Sequence, residues 1–226
     1  MPNEIWLMSQ GKDTKQFGTV KSRGTCEAIQ CPVYPDEHRR PGRCLGNLSV
    51  ELPEQTLADG LSWTWESDCL VSRSLLALMR SSNVAGFKTR PVEITVGGVS
   101  IEHTKEELVV NGWGGIARPE SGVRLNESES CFACGHLVYS GVKDWSQLID
   151  FDQWDGSDIF MVWPLPKFIL VTDKVAKLLT DNSIRELSLT PLDAMEPQEG
   201  DLTPGRVGYW LSSDKIRSAS VPSDIV

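Results

Sequence analysis

Two short stretches a hundred residues apart set the terms on which this chain can fold: CFAC at 131–134 followed by Gly135, and CEAIQC at 26–31. Two thiolates separated by two residues, followed by a glycine free to take positive φ, let backbone amides turn toward the sulfurs, which is the shape of a zinc knuckle. A knuckle supplies half of a tetrahedral site, and Cys26 and Cys31, with four residues between them, fall within the spacing that zinc sites tolerate. The expected ligands are therefore Cys26, Cys31, Cys131 and Cys134, with Cys44 or His38 able to replace Cys26 or Cys31, since all lie in one region. Four protein ligands leave no position for water or substrate, so Zn2+ held this way is structural. It would tie residues 1–48, rich in Gly, Pro and charge, to a segment far along the chain. Lys21, Arg23, Arg39, Arg40 and Arg43 would offset part of the charge of a four-thiolate centre.

The use of thiols as ligands presumes a reducing compartment, where disulfides are rare. The N-terminal MPNEIWLMSQGKDTKQF has no basic segment followed by an apolar run, and no stretch approaches the ~18 apolar residues of a membrane span. A cytoplasmic location and no membrane partner are expected. Cys69 is expected to be an inert buried thiol in the first turn of a helix.

An α+β fold is expected over 1–226, with a mixed or antiparallel sheet and halves at 1–125 and 126–226, each carrying one cysteine pair. LSVELP (48–53) and LSWTWE (61–66) alternate like strands, SDCLVSRSLLALMRSSN reads as a helix capped by Ser67 or Asp68, and FKTRPVEITV (87–96) returns as a strand. PKFILVT (166–172), DKVAKLLTDN capped by Thr172 or Asp173, and SIRELSLTPL (183–192) repeat that order, giving two strand-helix-strand units. GWGG (112–115) reads as a tight turn with Trp113 on the core, and the tail after 193 as loosely held apart from VGYWL (207–211).

No GxSxG, HExxH or Walker loop is present, and His38, His103 and His136 are scattered, so the chain reads as a binding protein without catalytic residues. Its net charge of −9 is uneven: residues 1–43 hold seven Lys/Arg against five Asp/Glu, and the rest holds 15 against 26. An acidic body repels phosphate backbones and attracts basic proteins. The segment 144–163 sets Trp145 and Trp154 among Asp150, Asp152, Asp155 and Asp158, a combination of anchor and charge that fits docking to a basic protein. The runner-up is a nucleic-acid contact through Arg39, Arg40 and Arg43 beside the knuckle.

TCEAIQCPVYPDEHRRPG, CFACGHLVYSG and QWDGSDIFMVWPLPKFILVTDKVAKLL together resemble the double-CxxCG motif proteins, a paralogous family of myxobacteria, over most of residues 24–192. The departure is the first pair, where the family's CxxC is stretched to Cys26 and Cys31. Some members are named as immunity proteins, so the resemblance implies a protein that binds and neutralises a toxin, one expected to carry a basic domain.

Overall fold

The computed structural model describes residues 4–11, 16–57, 59–102 and 104–226; His103 lies outside them. In chain order the strands are β1 (Ile5–Ser9), β2 (Thr19–Ser22), β3 (Cys26–Gln30), β4 (Arg39–Cys44), β5 (Leu48–Glu51), β6 (Leu61–Trp63) and β7 (Cys69–Ser72). Helix α1 (Arg73–Ser81) follows, then β8 (Phe87–Val96), β9 (Val99–Ile101), β10 (Lys105–Val110) and β11 (Gly112–Ile116). After a long irregular stretch come β12 (Ile159–Trp163), β13 (Ile169–Thr172), α2 (Asp173–Asp181), β14 (Ser188–Pro191) and the short α3 (Ser213–Ser218). The protein is a strand-rich α+β fold with few helices, and no described helix is long and apolar enough to cross a membrane.

Two large sheets and one hairpin result. The first sheet runs β11-β12-β13-β1-β14, the second runs β2-β5-β8-β10-β7-β6 with β9 on β8, and β3 pairs only with β4. Pairing is antiparallel except for β11 with β12 and β5 with β8. Strands β12 and β13 of the first sheet are buried on both faces, which accounts for the runs IFMVW and ILVT. Leu170 joins the core that holds Trp113, Trp145 and Trp163, while its neighbours Ile169 and Val171 join the core under the two helices. Both helices turn one stripe into that second core, Leu75, Leu76 and Met79 from α1 and Val175, Ala176 and Leu179 from α2.

Several expectations from sequence are corrected here. The N-terminal stretch contains β1, held between β13 and β14 in the first sheet. Cys69 lies in β7, because CLVS is buried between β6 and β10, and α1 starts only where Ser72 Oγ accepts the amide of Leu75 at 3.3 Å. GWGG is a strand rather than a turn: a Cβ at Gly112 would run into the Ile159 carbonyl, and one at Gly114 into Phe160, so the glycines are what let β11 close on β12. The second predicted strand shortens to Ser188–Pro191. Val207 and Leu211 of the VGYWL segment are buried as expected, and beyond it the C-terminal tail is anchored too, since Ile216 and Ile225 are buried in the tryptophan core.

Candidate metal centre

The hairpin of β3 and β4 presents Cys31 and His38 from the loop that joins its strands. That loop is shaped by hydrogen bonds from the Cys31 amide to the His38 carbonyl (3.3 Å) and from the His38 amide to the Tyr34 carbonyl (3.0 Å). The amides of Val33 and Tyr34 point back at Cys31 Sγ from 3.4 and 3.3 Å. Opposite, Cys131 and His136 close a tight turn by exchanging backbone bonds of 2.7 and 3.1 Å, and Gly135, at φ +71°, supplies the left-handed residue that this turn needs.

These two loops bring together Cys31, His38, Cys131 and Cys134, whose ligand atoms all lie within 4.8 Å of one another. Cys31 Sγ is 3.6 Å from Cys131 Sγ, and Cys134 Sγ is 3.6 Å from His38 Nδ1. The three thiols are buried and His38 is half-buried. The set could hold a metal ion. Three of the four residues expected from sequence therefore meet. The fourth, Cys26, does not: it faces Cys44 across the hairpin and is joined to it by a disulfide, so its sulfur is consumed and His38 stands in its place. The disulfide also departs from the expectation that the cysteines serve as thiols or metal ligands rather than disulfides. His38 is legible from sequence only as an alternative, because a single histidine seven residues beyond Cys31 carries no paired spacing of its own.

Burial pushes the Cys31 thiol up, but the amides of Tyr34 and Val33, with His38 and Cys131, outweigh it and bring the group down to about 6. Burial raises Cys134, against the opposing His136 amide. His136 stacks on His38 with ring centroids 4.7 Å apart and is held below its ordinary value by burial, Arg40 and His38. It accepts a hydrogen bond at Nδ1 from Arg40 (3.3 Å), and Arg40 also donates to the Cys134 carbonyl (3.1 Å). The Tyr209 hydroxyl donates to that same carbonyl at 3.1 Å, and Arg206 donates to the Phe132 carbonyl. Side chains from the C-terminal tail thereby brace the backbone of the 131–136 turn.

Of the arginines expected near the centre, only Arg40 touches it. Arg43 donates to the carbonyls of Gly208 (2.6 Å) and Leu211 (3.1 Å), Arg23 pairs with Asp68 and Glu66, and Arg39 bonds Asp36 and the Pro35 carbonyl in the hairpin loop. Hydrogen bonds from a charged donor to buried carbonyls are each worth about 1.5–3 kcal/mol. Arg43→Ala, which removes two such bonds, should therefore lower stability by about 3 kcal/mol or more and Arg39→Ala by less than about 0.5 kcal/mol in urea titration; equal midpoints for the two variants would contradict this.

The acidic aromatic segment is mostly spent on its own architecture. Trp145 is buried, its Nε1 donating to the Glu196 carbonyl at 3.0 Å, so it cannot serve as a surface anchor. Trp154 is half-buried against Phe160. Asp155 accepts from the amides of Trp113 and Ser157 and from Lys215; these donors outweigh burial and hold its carboxyl below the usual range. Asp158 accepts from the Ala85 amide (2.9 Å), Lys174 (2.9 Å) and Thr172 (3.3 Å). Asp150 organises its own turn through the Asp152 amide and Gln153. Asp152 and its neighbour Phe151 remain exposed. When the chain is compared with known proteins, no family model matches it and no curated protein matches it.

Proposed function

We propose that the protein is a zinc-stabilised bacterial immunity protein, acting in the cytoplasm by binding and neutralising a toxin. The observation that carries the zinc reading is the donor set: the ligand atoms of Cys31, His38, Cys131 and Cys134 converge within 4.8 Å of one another, with the three thiols buried. Tetrahedral zinc, with bonds near 2.3 Å to sulfur and 2.0–2.1 Å to nitrogen, has ligand edges of about 3.8 Å between sulfurs and about 3.6 Å between sulfur and nitrogen. The sulfur pair and the sulfur–imidazole pair, both at 3.6 Å, are close to these lengths. Four protein ligands make the ion a fastener and leave no coordination position for catalysis. Because each thiol must lose its proton to bind, acidification should strip the metal, and zinc retained after dialysis should fall steadily as the pH of the dialysis buffer is lowered. Retention that ignores pH would argue against thiolate ligation.

The binding role rests on the family resemblance and on charge. Residues 44–226 hold 26 acids against 15 bases, which steers a basic protein toward the surface. The nucleic-acid alternative loses support from the arginines themselves: Arg40 and Arg43 are turned onto the protein's own carbonyls, and Arg39 is paired with Asp36. Labelled DNA or RNA should not be retarded by the protein even at low salt. The decisive experiment for the immunity reading is co-expression with the toxin genes encoded beside it: growth should be rescued for one of them, and rescue of none would remove the reading.

A further inference from the structure

Among the described residues the β3–β4 hairpin pairs with neither large sheet, and an isolated two-stranded hairpin is marginal in water. It nevertheless carries two of the four clustered ligands in its loop. Its open end is closed by the Cys26–Cys44 disulfide, 18 residues apart in sequence. The sulfur atoms thus fall into two sets. Cys31, Cys69, Cys131 and Cys134 are free and buried, whereas Cys26 and Cys44 are half-buried. Cys26 also borders an open groove over the hairpin, beside Glu27, Ile29 and Arg39. The one disulfide is therefore the sulfur group that a reagent from solvent meets first.

From this placement we infer that the Cys26–Cys44 bond is a reversible redox latch on the metal centre. Oxidised, it holds the hairpin closed with Cys31 and His38 presented; reduced, it lets the hairpin open and loosens the grip on the ion. This rests on reading the four-ligand cluster as a metal site. A thiolate of a dithiol reductant attacks Cys26 Sγ from the groove, the sulfur–sulfur bond breaks, and Cys44 leaves as a thiolate that takes up a proton. The second thiol of the reductant then attacks the mixed disulfide and releases Cys26 as a thiol. Two electrons and two protons pass from the dithiol to the protein, and the reductant departs as a cyclic disulfide. No metal ligand changes oxidation state.

Affinity follows from entropy. With the disulfide in place the metal-free hairpin is already confined; without it, binding must order the loop, and for a closed loop of this size the difference is roughly ten- to a hundredfold in affinity. β4 keeps moorings that do not depend on the disulfide, through Arg40, Arg43 and the 3.0 Å bond from Arg90 to the Cys44 carbonyl. The loss falls on β3 and its ligand Cys31.

The test is a competition between the full chain and a chromophoric zinc chelator, using oxidised protein, protein treated with a dithiol and desalted without oxygen, and the C26S/C44S variant. Oxidised protein should hold zinc at least tenfold more tightly than the other two, which should agree, and alkylation of the reduced zinc-loaded sample should mark Cys26 and Cys44 before any ligand cysteine. Equal affinity in all three samples, or a disulfide that the dithiol leaves intact in the folded protein, would overturn the inference. Should the variant not fold, the two wild-type samples decide alone. Oxidised protein that takes up no zinc would overturn the metal reading and the latch with it, an outcome distinct from zinc binding that merely ignores the redox state.

Discussion

Cys131→Ser should abolish metal uptake at the four-residue cluster and lower the melting temperature far more than Cys69→Ser does. Both thiols are buried, so burial alone does not separate them. Cys69 sits in β7 against aliphatic neighbours, and burial raises its thiol well above the ordinary value, so it stays protonated and inert. A hydroxyl in its place costs the burial of a polar group, about 1–3 kcal/mol. Cys131 is one of four converging ligands, and structural zinc contributes on the order of 10 kcal/mol of apparent binding energy in small zinc-binding peptides. His38→Ala should match Cys131→Ser in metal loss. Elemental analysis and calorimetry on the three variants check this, and indistinguishable melting temperatures for the two serine variants would contradict it.

The second large effect is expected at Gly86. Its φ of +94° already disfavours any side chain, and a Cβ there would run into the Ile159 carbonyl oxygen and Ser157. The surrounding backbone cannot give way cheaply. The Gly86 carbonyl accepts the amides of Asn111 (3.0 Å) and Gly112 (2.8 Å), and the Ala85 carbonyl accepts those of Asp158 (3.1 Å) and Ile159 (2.9 Å). This junction joins the end of the α1 segment to β11 and β12, and so one large sheet to the other. Gly86→Ala should cost more than about 4 kcal/mol, in the exceptional range for a point substitution. Gly97, at φ +57° with open space where a Cβ would sit, should lose only about 1–2 kcal/mol to backbone strain. Urea denaturation of the two variants checks the contrast; similar losses would show that the junction is not rigid.

What the sequence made legible follows the reach of each signal. Helix α2 begins at Asp173, so that of the two expected caps, Thr172 and Asp173, Thr172 holds the cap position, because a periodic apolar stripe is a local property of DKVAKLL. Strand β8 spans the expected 87–96 for the same reason. α1 was placed too early because CLV is as compatible with a buried strand as with a helix turn, and only pairing with β6 and β10 decides between them. At the candidate site, the CxxCG element carried its own geometry and Cys131 and Cys134 could be read directly. Cys26 and His38 could not, since the strand register that places Cys26 opposite Cys44 and leaves His38 facing Cys134 is a tertiary fact. Trp145 was misread for a related reason: acidic neighbours in sequence do not show that its ring lies against Phe168 in the core.

The place of β1 in the first sheet has a consequence for synthesis. β1 pairs on one side with residues 169–172 and on the other with 188–191. At ribosomal rates of about 5–20 residues per second, it emerges on the order of ten seconds before either partner exists. IWLMS must stay unpaired through that interval, and the first sheet can close only after residue 191 has left the ribosome.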